Sequence, residues 1–224
     1  MIVHVYERAR QARGVDEVIV ATDDRRIADA VVTFGGVARL TSSEHRTGTD
    51  RIAEVARDLA CDIVVNPQGD EPLLDPRMIE DVVRPLLDDP AVSMTTLRRP
   101  IVDPADYFNP HVVKVTVDAA GDALYFSRAA IPAAGAPGAG PDMPPCNAHV
   151  GLYAFRREFL LRFAALPRTP LERIESLEQL RALEHGYRIR TVMTQRATVG
   201  VDTPEDLERA REYLDVLNGR SLYK

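Results

Sequence analysis

Short runs rich in β-branched residues alternate along this chain with longer amphipathic stretches, and the alternation restricts it to a sheet covered by helices on both faces. The runs Val18 to Ala21, Ile63 to Val65, Ser93 to Leu97 and His149 to Phe155 read as strands. Between them, Val3 to Arg13 (ended by Gly14), Arg25 to Phe34 (stopped by Gly35-Gly36), Asp50 to Leu59 and Pro76 to Leu87 read as helices. Such spacing predicts an α/β protein with a largely parallel sheet. With 224 residues, 45% of them hydrophobic, the chain can bury the core of one large domain or two small ones, and it is read as a single domain spanning residues 1–224.

The pattern changes over about residues 107–150. Val112 to Val117 and Ala123 to Phe126 read as a hairpin around Ala120-Gly121, which predicts a β-rich insertion, and Ala133 to Pro145 has the composition of a loop. Further on, Thr169-Pro170-Leu171-Glu172 and Thr203-Pro204-Glu205-Asp206 each place a hydroxyl, a proline and a carboxylate as a helix start requires. The first start predicts one helix to about Gly186 with a core stripe of Leu171, Ile174, Leu177, Leu180 and Leu183; the second carries Leu207, Ala210, Leu214 and Leu217.

Several classes are disfavoured. Lys+Arg 28 against Asp+Glu 34 leaves a net charge of −6, a poor match to nucleic acid or anionic lipid. No apolar stretch reaches the roughly 20 residues that span a bilayer, and Glu7 and Arg8 interrupt any leader-like run, so no membrane insertion is expected. Two cysteines, Cys61 and Cys146, make neither a disulfide framework nor a zinc site, as in a reducing cytoplasm. Dinucleotide, P-loop, zinc-protease and serine-hydrolase fingerprints are missing from the sequence.

What remains is a set of polar turns at strand ends, where open α/β sheets bind ligands. Asn66-Pro67-Gln68-Gly69-Asp70-Glu71-Pro72 leaves a buried strand and places Asp70 to hold a divalent ion, or equally to cap a turn, and Glu71 can take part or equally be a solvated neighbour. In Gly200-Val201-Asp202-Thr203-Pro204, Asp202 can complete a metal site or sit as a favourable charge at a helix N-terminus. His45 to Arg51 is a glycine-containing turn leading into a helix, suited to a base or phosphate and equally to a plain capped start. His149, Tyr153 and Arg128 lie in or beside strands, where a hydrogen-bonded core histidine is the ordinary reading.

Taken in order, Met1 to Val5, Ile19-Val20-Ala21-Thr22-Asp23, His45 to Arg51, Gln68 to Pro72, Ala123 to Arg128, His149 to Tyr153, Glu178-Gln179-Leu180-Arg181 and Gly200 to Leu207 resemble the 3-deoxy-manno-octulosonate cytidylyltransferases, or CMP-Kdo synthetases, over essentially the whole chain. The resemblance implies a nucleotide-diphospho-sugar transferase-like, Rossmann-like three-layer sandwich whose β-rich insertion helps form a homodimer. It implies transfer of the cytidylyl group of CTP to 3-deoxy-D-manno-octulosonate (Kdo), giving CMP-Kdo and pyrophosphate for lipopolysaccharide synthesis. Asp70 and Asp202 match the family's Mg²⁺ ligands; Thr22, Asp23, Thr47, Gly48 and Arg51 match its CTP-binding positions. Gln68, Arg128, His149, Tyr153, Glu178 and Gln179 match its sugar-side positions. Family members normally begin with a strand and a loop of pattern IPARxxSxRxxGKPL ahead of the segment matching Met1. Their absence here leads to the expectation of a start called too late, with weak CTP binding and aggregation through sheet edges. A cytidylyltransferase for another acidic sugar, such as a sialic acid or amino-Kdo, and a noncatalytic binding remnant remain as alternatives.

Overall fold

The computed structural model describes residues 1–133, 145–196, 200–201 and 203–217. In chain order the elements are α1 (Ile2–Arg10), β1 (Ile19–Thr22), α2 (Arg25–Thr33), β2 (Val37–Leu40), α3 (Gly48–Ala56), β3 (Ile63–Asn66), α4 (Pro76–Asp88), β4 (Met94–Pro100) and α5 (Pro104–Phe108). There follow β5 (Lys114–Val117), β6 (Ala123–Ser127), β7 (Asn147–Arg156), α6 (Arg157–Ala165), α7 (Pro170–Glu175), α8 (Leu180–Glu184), β8 (Arg190–Met193) and α9 (Pro204–Leu217). The chain divides into two compact units: Met1–Val55, Pro67–Glu80 and Arg196–Lys224 form one, and Ala56–Asn66 with Asp81–Gln195 the other.

The first unit is built on β1 paired in parallel with β2. Here α1 buries Val5, Tyr6 and Ala9, its apolar positions at helical spacing. Tyr6 meets Phe34 edge to face at 5.2 Å, and its hydroxyl accepts from the Val37 N–H at 3.2 Å, so one side chain ties α1 to the start of β2. Asp24 caps α2 by accepting from the Arg26 N–H at 2.8 Å. At the start of α9 the Asp206 N–H donates to the Thr203 hydroxyl at 3.1 Å while the Thr203 N–H donates to the Asp206 carboxylate at 3.0 Å, the reciprocal cap its sequence announces.

The second unit holds a six-stranded sheet in the order β6-β5-β7-β4-β8, with β3 also on β7. It is mixed, which corrects the expected largely parallel sheet. Strand β7 runs antiparallel to β3, β4 and β5, and among the described residues of this sheet only β4 and β8 pair in parallel. As a long strand running opposite to these neighbours, β7 has β4 on one of its edges while β3 and β5 share the other. Between Thr96 and Leu97 the register slips: Thr96 faces Tyr153, but Leu97 faces Val150. A bulge of this kind re-aims the side chains beside it. On the other face the Thr95 hydroxyl donates to the Val82 carbonyl of α4 at 2.5 Å, and α6 buries Phe159, Leu160 and Phe163.

The expected single helix from Thr169 to Gly186 is two, α7 and α8, separated at Ser176, whose φ of 54° is left-handed. No breaker residue marks the spot. The break lets buried Glu172 of α7 meet Arg181 of α8 at 2.6 and 2.9 Å, with the guanidinium 4.9 Å above the Phe163 ring. It also turns Ile174 outward to 77% exposure, so that residue leaves the expected core stripe. The hairpin forms as expected, with Gly121 at φ +85° in its turn. Strands β2 and β8 and helices α5 and α6 are additions to the sequence reading.

Candidate active site

In the first unit a buried Thr22 ends β1, and its hydroxyl accepts from the Asp24 N–H at 3.1 Å. The next residue, Asp23, is exposed and pairs with Arg51 of α3 at 3.1 Å. The same guanidinium donates to the Thr41 hydroxyl at 2.6 Å and the Ser42 carbonyl at 3.4 Å. Thr47 starts α3: its hydroxyl accepts from the Asp50 N–H at 3.1 Å, and its carbonyl accepts from the Arg51 N–H at 3.2 Å. Beneath the turn His45 pairs with Glu54, whose carboxylate also accepts from the Ser42 N–H at 3.2 Å. Thr22, Asp23, Thr47, Gly48 and Arg51 are therefore brought together, with the exposed Gly48 opening the helix N-terminus. Backbone N–H groups there and one anchored guanidinium suit a nucleotide.

Also in this unit, Gln68 and Asp70 lie half-buried in a turn closed by the Glu71 N–H donating to the Gln68 carbonyl at 3.3 Å. Glu71 is not the solvated neighbour its sequence suggests: its Oε2 is buried with no hydrogen-bond partner. Burial, and then the Asp70 charge, push its carboxyl up to about 7. A partnerless buried carboxylate oxygen beside a second carboxylate is a hard-oxygen donor set of the kind Mg²⁺ prefers, and one or two carboxylates suffice for that ion. Among the described residues no group of three or more His, Cys, Asp or Glu forms a ready-made metal cage. Asp202 lies outside the described residues, yet the Val201 N–H donates to the Asp70 carbonyl at 3.0 Å, fixing the neighbouring link of the chain at Asp70.

In the second unit the β7 bulge gathers His149 and Tyr153 at Thr96. The Thr96 hydroxyl and His149 Nε2 are 2.8 Å apart, and the imidazole packs edge-on to Phe126 at 5.0 Å and 5.4 Å from the Tyr153 ring. Burial pushes His149 down to about 3, so it is neutral at physiological pH, a hydrogen-bonding group rather than a cation. Buried Tyr153 has its pKa driven well above the ordinary value by desolvation and further by Glu178, which places those two side chains in each other's field. Asn66 stands opposite Tyr153 in the ladder with its Nδ2 buried and unpartnered. Gln179, 2% exposed at the start of α8, likewise buries an unpartnered Nε2. Buried donors without acceptors suit an oxygen-rich ligand. Arg128 lies just past β6, bound to Glu175 through its backbone N–H at 2.9 Å.

Sequence reasoning missed Thr96, Asn66 and Glu175. Only the apolar setting of Thr95-Thr96 within a buried strand hinted at a polar pair with a task.

The Cytidylyltransferase family model matches residues 1–189. The 3-deoxy-manno-octulosonate cytidylyltransferase of Syntrophotalea carbinolica is 53% identical over 219 residues, 96% of this chain and 88% of that protein. The enzyme of the same name from Geobacter sulfurreducens is 51% identical over 228 residues, with the same two coverages. Among solved structures, CMP:2-keto-3-deoxy-manno-octonic acid synthetase complexed with CTP superposes with a TM-score of 0.89 at 45% identity, over 96% of this chain and 88% of that one. A 4-diphosphocytidyl-2C-methyl-D-erythritol synthase from Anaerococcus prevotii, 13% identical with a TM-score of 0.62 over 96% of this chain and 89% of that one, shares the fold.

Proposed function

This chain belongs to the cytidylyltransferase family, and from that premise we propose that it transfers the cytidylyl group of CTP to the anomeric hydroxyl of Kdo, releasing pyrophosphate. The observation that carries the nucleotide half is the Asp70 turn, where half-buried Glu71 has a buried oxygen without a partner and Val201 is bound to the Asp70 backbone. Asp70 and Asp202 would hold Mg²⁺, with Glu71 as the carboxylate next to Asp70 in the turn. When bound, that ion neutralises phosphate oxygens and eases departure of pyrophosphate. Arg51, fixed by Asp23 and Thr41, and the Thr47-Gly48 helix start hold the nucleotide, with Thr22 ending the strand beneath it.

The C2 hydroxyl of Kdo attacks the α-phosphorus in line. An O–P bond forms, the bond from the α-phosphorus to the α,β-bridging oxygen breaks, and the hydroxyl proton passes to solvent or phosphate. No side chain becomes covalently attached; catalysis rests on positioning and charge. Gln68, Arg128, His149, Tyr153, Glu178 and Gln179 take the acid sugar. Neutral His149 and the buried amides of Gln179 and Asn66 supply hydrogen bonds, and Arg128 supplies the charge for a carboxylate.

The working form is a homodimer, supported by apolar side chains that the insertion and its approach leave in water, Val102, Phe108 and Leu124. The free thiols of Cys61 and Cys146 suit the cytoplasm. Incubation with CTP, Mg²⁺ and a panel of acidic sugars, followed by mass spectrometry, tests the assignment. CMP-Kdo as the main product supports it; a CMP-sialic acid or CMP-amino-Kdo product moves the substrate, and CTP binding with no product from any sugar leaves a noncatalytic binder.

A further inference from the structure

Lys114 is one of only two lysines in the chain, and its side chain is completely buried. Among the described residues no carboxylate forms an ion pair with it. Instead its Nζ donates to three backbone carbonyls, those of Asn109 at 2.8 Å, Val112 at 2.6 Å and Arg128 at 2.6 Å. Three donors meeting three acceptors saturate an ammonium group. The contacts join two segments distant in sequence, the 109–112 turn and the residue after β6.

From the opposite side Glu175 holds the same residue. Its Oε2 accepts from the Arg128 N–H at 2.9 Å, and its backbone carbonyl accepts from Arg128 Nε at 2.9 Å. Its Oε1 accepts from the Ser127 hydroxyl at 2.6 Å and the Tyr125 hydroxyl at 3.4 Å, which locks the carboxylate in turn. Arg128 Nη1 donates to the Pro110 carbonyl at 3.2 Å, within the turn that Lys114 secures. The guanidinium thus has two of its three nitrogens, Nε and Nη1, tied to backbone carbonyls, and among the described residues it forms no ion pair. Two cations and one anion leave the cluster net positive, and a planar group held through Nε and Nη1 keeps its Nη2 end for a ligand carboxylate.

We propose that Lys114 and Glu175 are positioning residues which clamp Arg128 from its carbonyl and amide sides, and that this clamp sets the affinity for the carboxylate of the acidic sugar without touching it. The inference rests on the reading of Arg128 as a sugar-side residue, and the test separates the two. Steady-state pyrophosphate release is measured for Lys114→Met, Lys114→Gln, Glu175→Gln, Arg128→Ala and the double variants that combine each clamp change with Arg128→Ala, with folding checked by circular dichroism.

Losing a hydrogen bond around a charged group corresponds to a factor of about ten or more, so each clamp variant is expected to raise KM for the sugar about 10-fold. KM for CTP should stay unchanged, and the double variants should be no worse than Arg128→Ala alone. Lys114→Gln retains two donors and Glu175→Gln retains the acceptor oxygen, so both report on the clamp if Lys114→Met does not fold. A rise in sugar KM for Arg128→Ala with none for the folded clamp variants overturns the clamp, as do equal rises in both KM values or losses that multiply in the doubles. An unchanged sugar KM in Arg128→Ala overturns the Arg128 reading itself.

Discussion

His149 should make this protein acid-labile in a way that one substitution removes. In the folded chain the imidazole is enclosed by Phe126, Tyr153 and Thr96, and burial holds its pKa near 3, whereas an exposed histidine takes up its proton near 6.5. Below about pH 6.5 the unfolded chain therefore binds a proton that the native chain refuses until about pH 3. The sign is unambiguous: stability falls as pH falls through that window, and above it the group costs nothing. The slope approaches about 1.4 kcal/mol per pH unit, so lowering the pH from 7.5 to 5 should cost about 2 kcal/mol through this one residue. The Glu71 carboxyl, held up to about 7, works in the opposite sense, since the native chain takes up its proton first as pH falls. Comparing wild type with His149→Gln cancels that contribution and those of the other carboxylates. Gln can place an amide where Nε2 meets the Thr96 hydroxyl and cannot titrate. Urea unfolding followed by circular dichroism at pH 7.5, 6 and 5 gives the two stability curves. They should converge by about 2 kcal/mol toward pH 5, whatever the fixed cost of the substitution at neutral pH. Parallel curves would refute the claim that His149 is held neutral by burial.

Other outcomes follow from the same geometry. Arg181→Met should cost about 3–5 kcal/mol in denaturant unfolding, because it leaves the buried Glu172 carboxylate without its main partner. Ser176→Gly should stabilise by about 0.5–1 kcal/mol in thermal unfolding, since only glycine accepts a φ of 54° without steric cost; an unchanged Tm would mean the turn is not strained. Arg51→Ala should raise KM for CTP about 10-fold or more while leaving KM for the sugar alone, as it removes the guanidinium that Asp23 and Thr41 hold in place.

Features written locally were legible in the sequence. The Thr203 cap, the Gly121 hairpin and the turn after Ile63-Val64-Val65 each depend on residues within a few positions of one another, and each formed. Strand β2 was not legible, because Val37, Arg39 and Leu40 are exposed and give no alternating apolar signal. The break between α7 and α8 was hidden for a different reason. Its cause is tertiary: Glu172 finds Arg181, Glu175 finds Ser127 and Arg128, and these bonds outweigh the helical preference of the Ser176 segment. The same distinction divides the site. The Gln68 to Pro72 and His45 to Arg51 segments carry their chemistry in sequence, whereas the burial that keeps His149 neutral beside Thr96, and the contacts of Lys114 and Glu175 that hold Arg128, are set only by tertiary packing.

The most direct test of cytidylyl transfer is pyrophosphate release by this chain with CTP, Kdo and Mg²⁺, each omitted in turn, run beside Asp70→Asn. Release that needs all three components, with CMP-Kdo formed in equal amount and a rate lowered about 100-fold or more in Asp70→Asn, is the expected result. Pyrophosphate released at the same rate without Kdo, or full activity in Asp70→Asn, would contradict it.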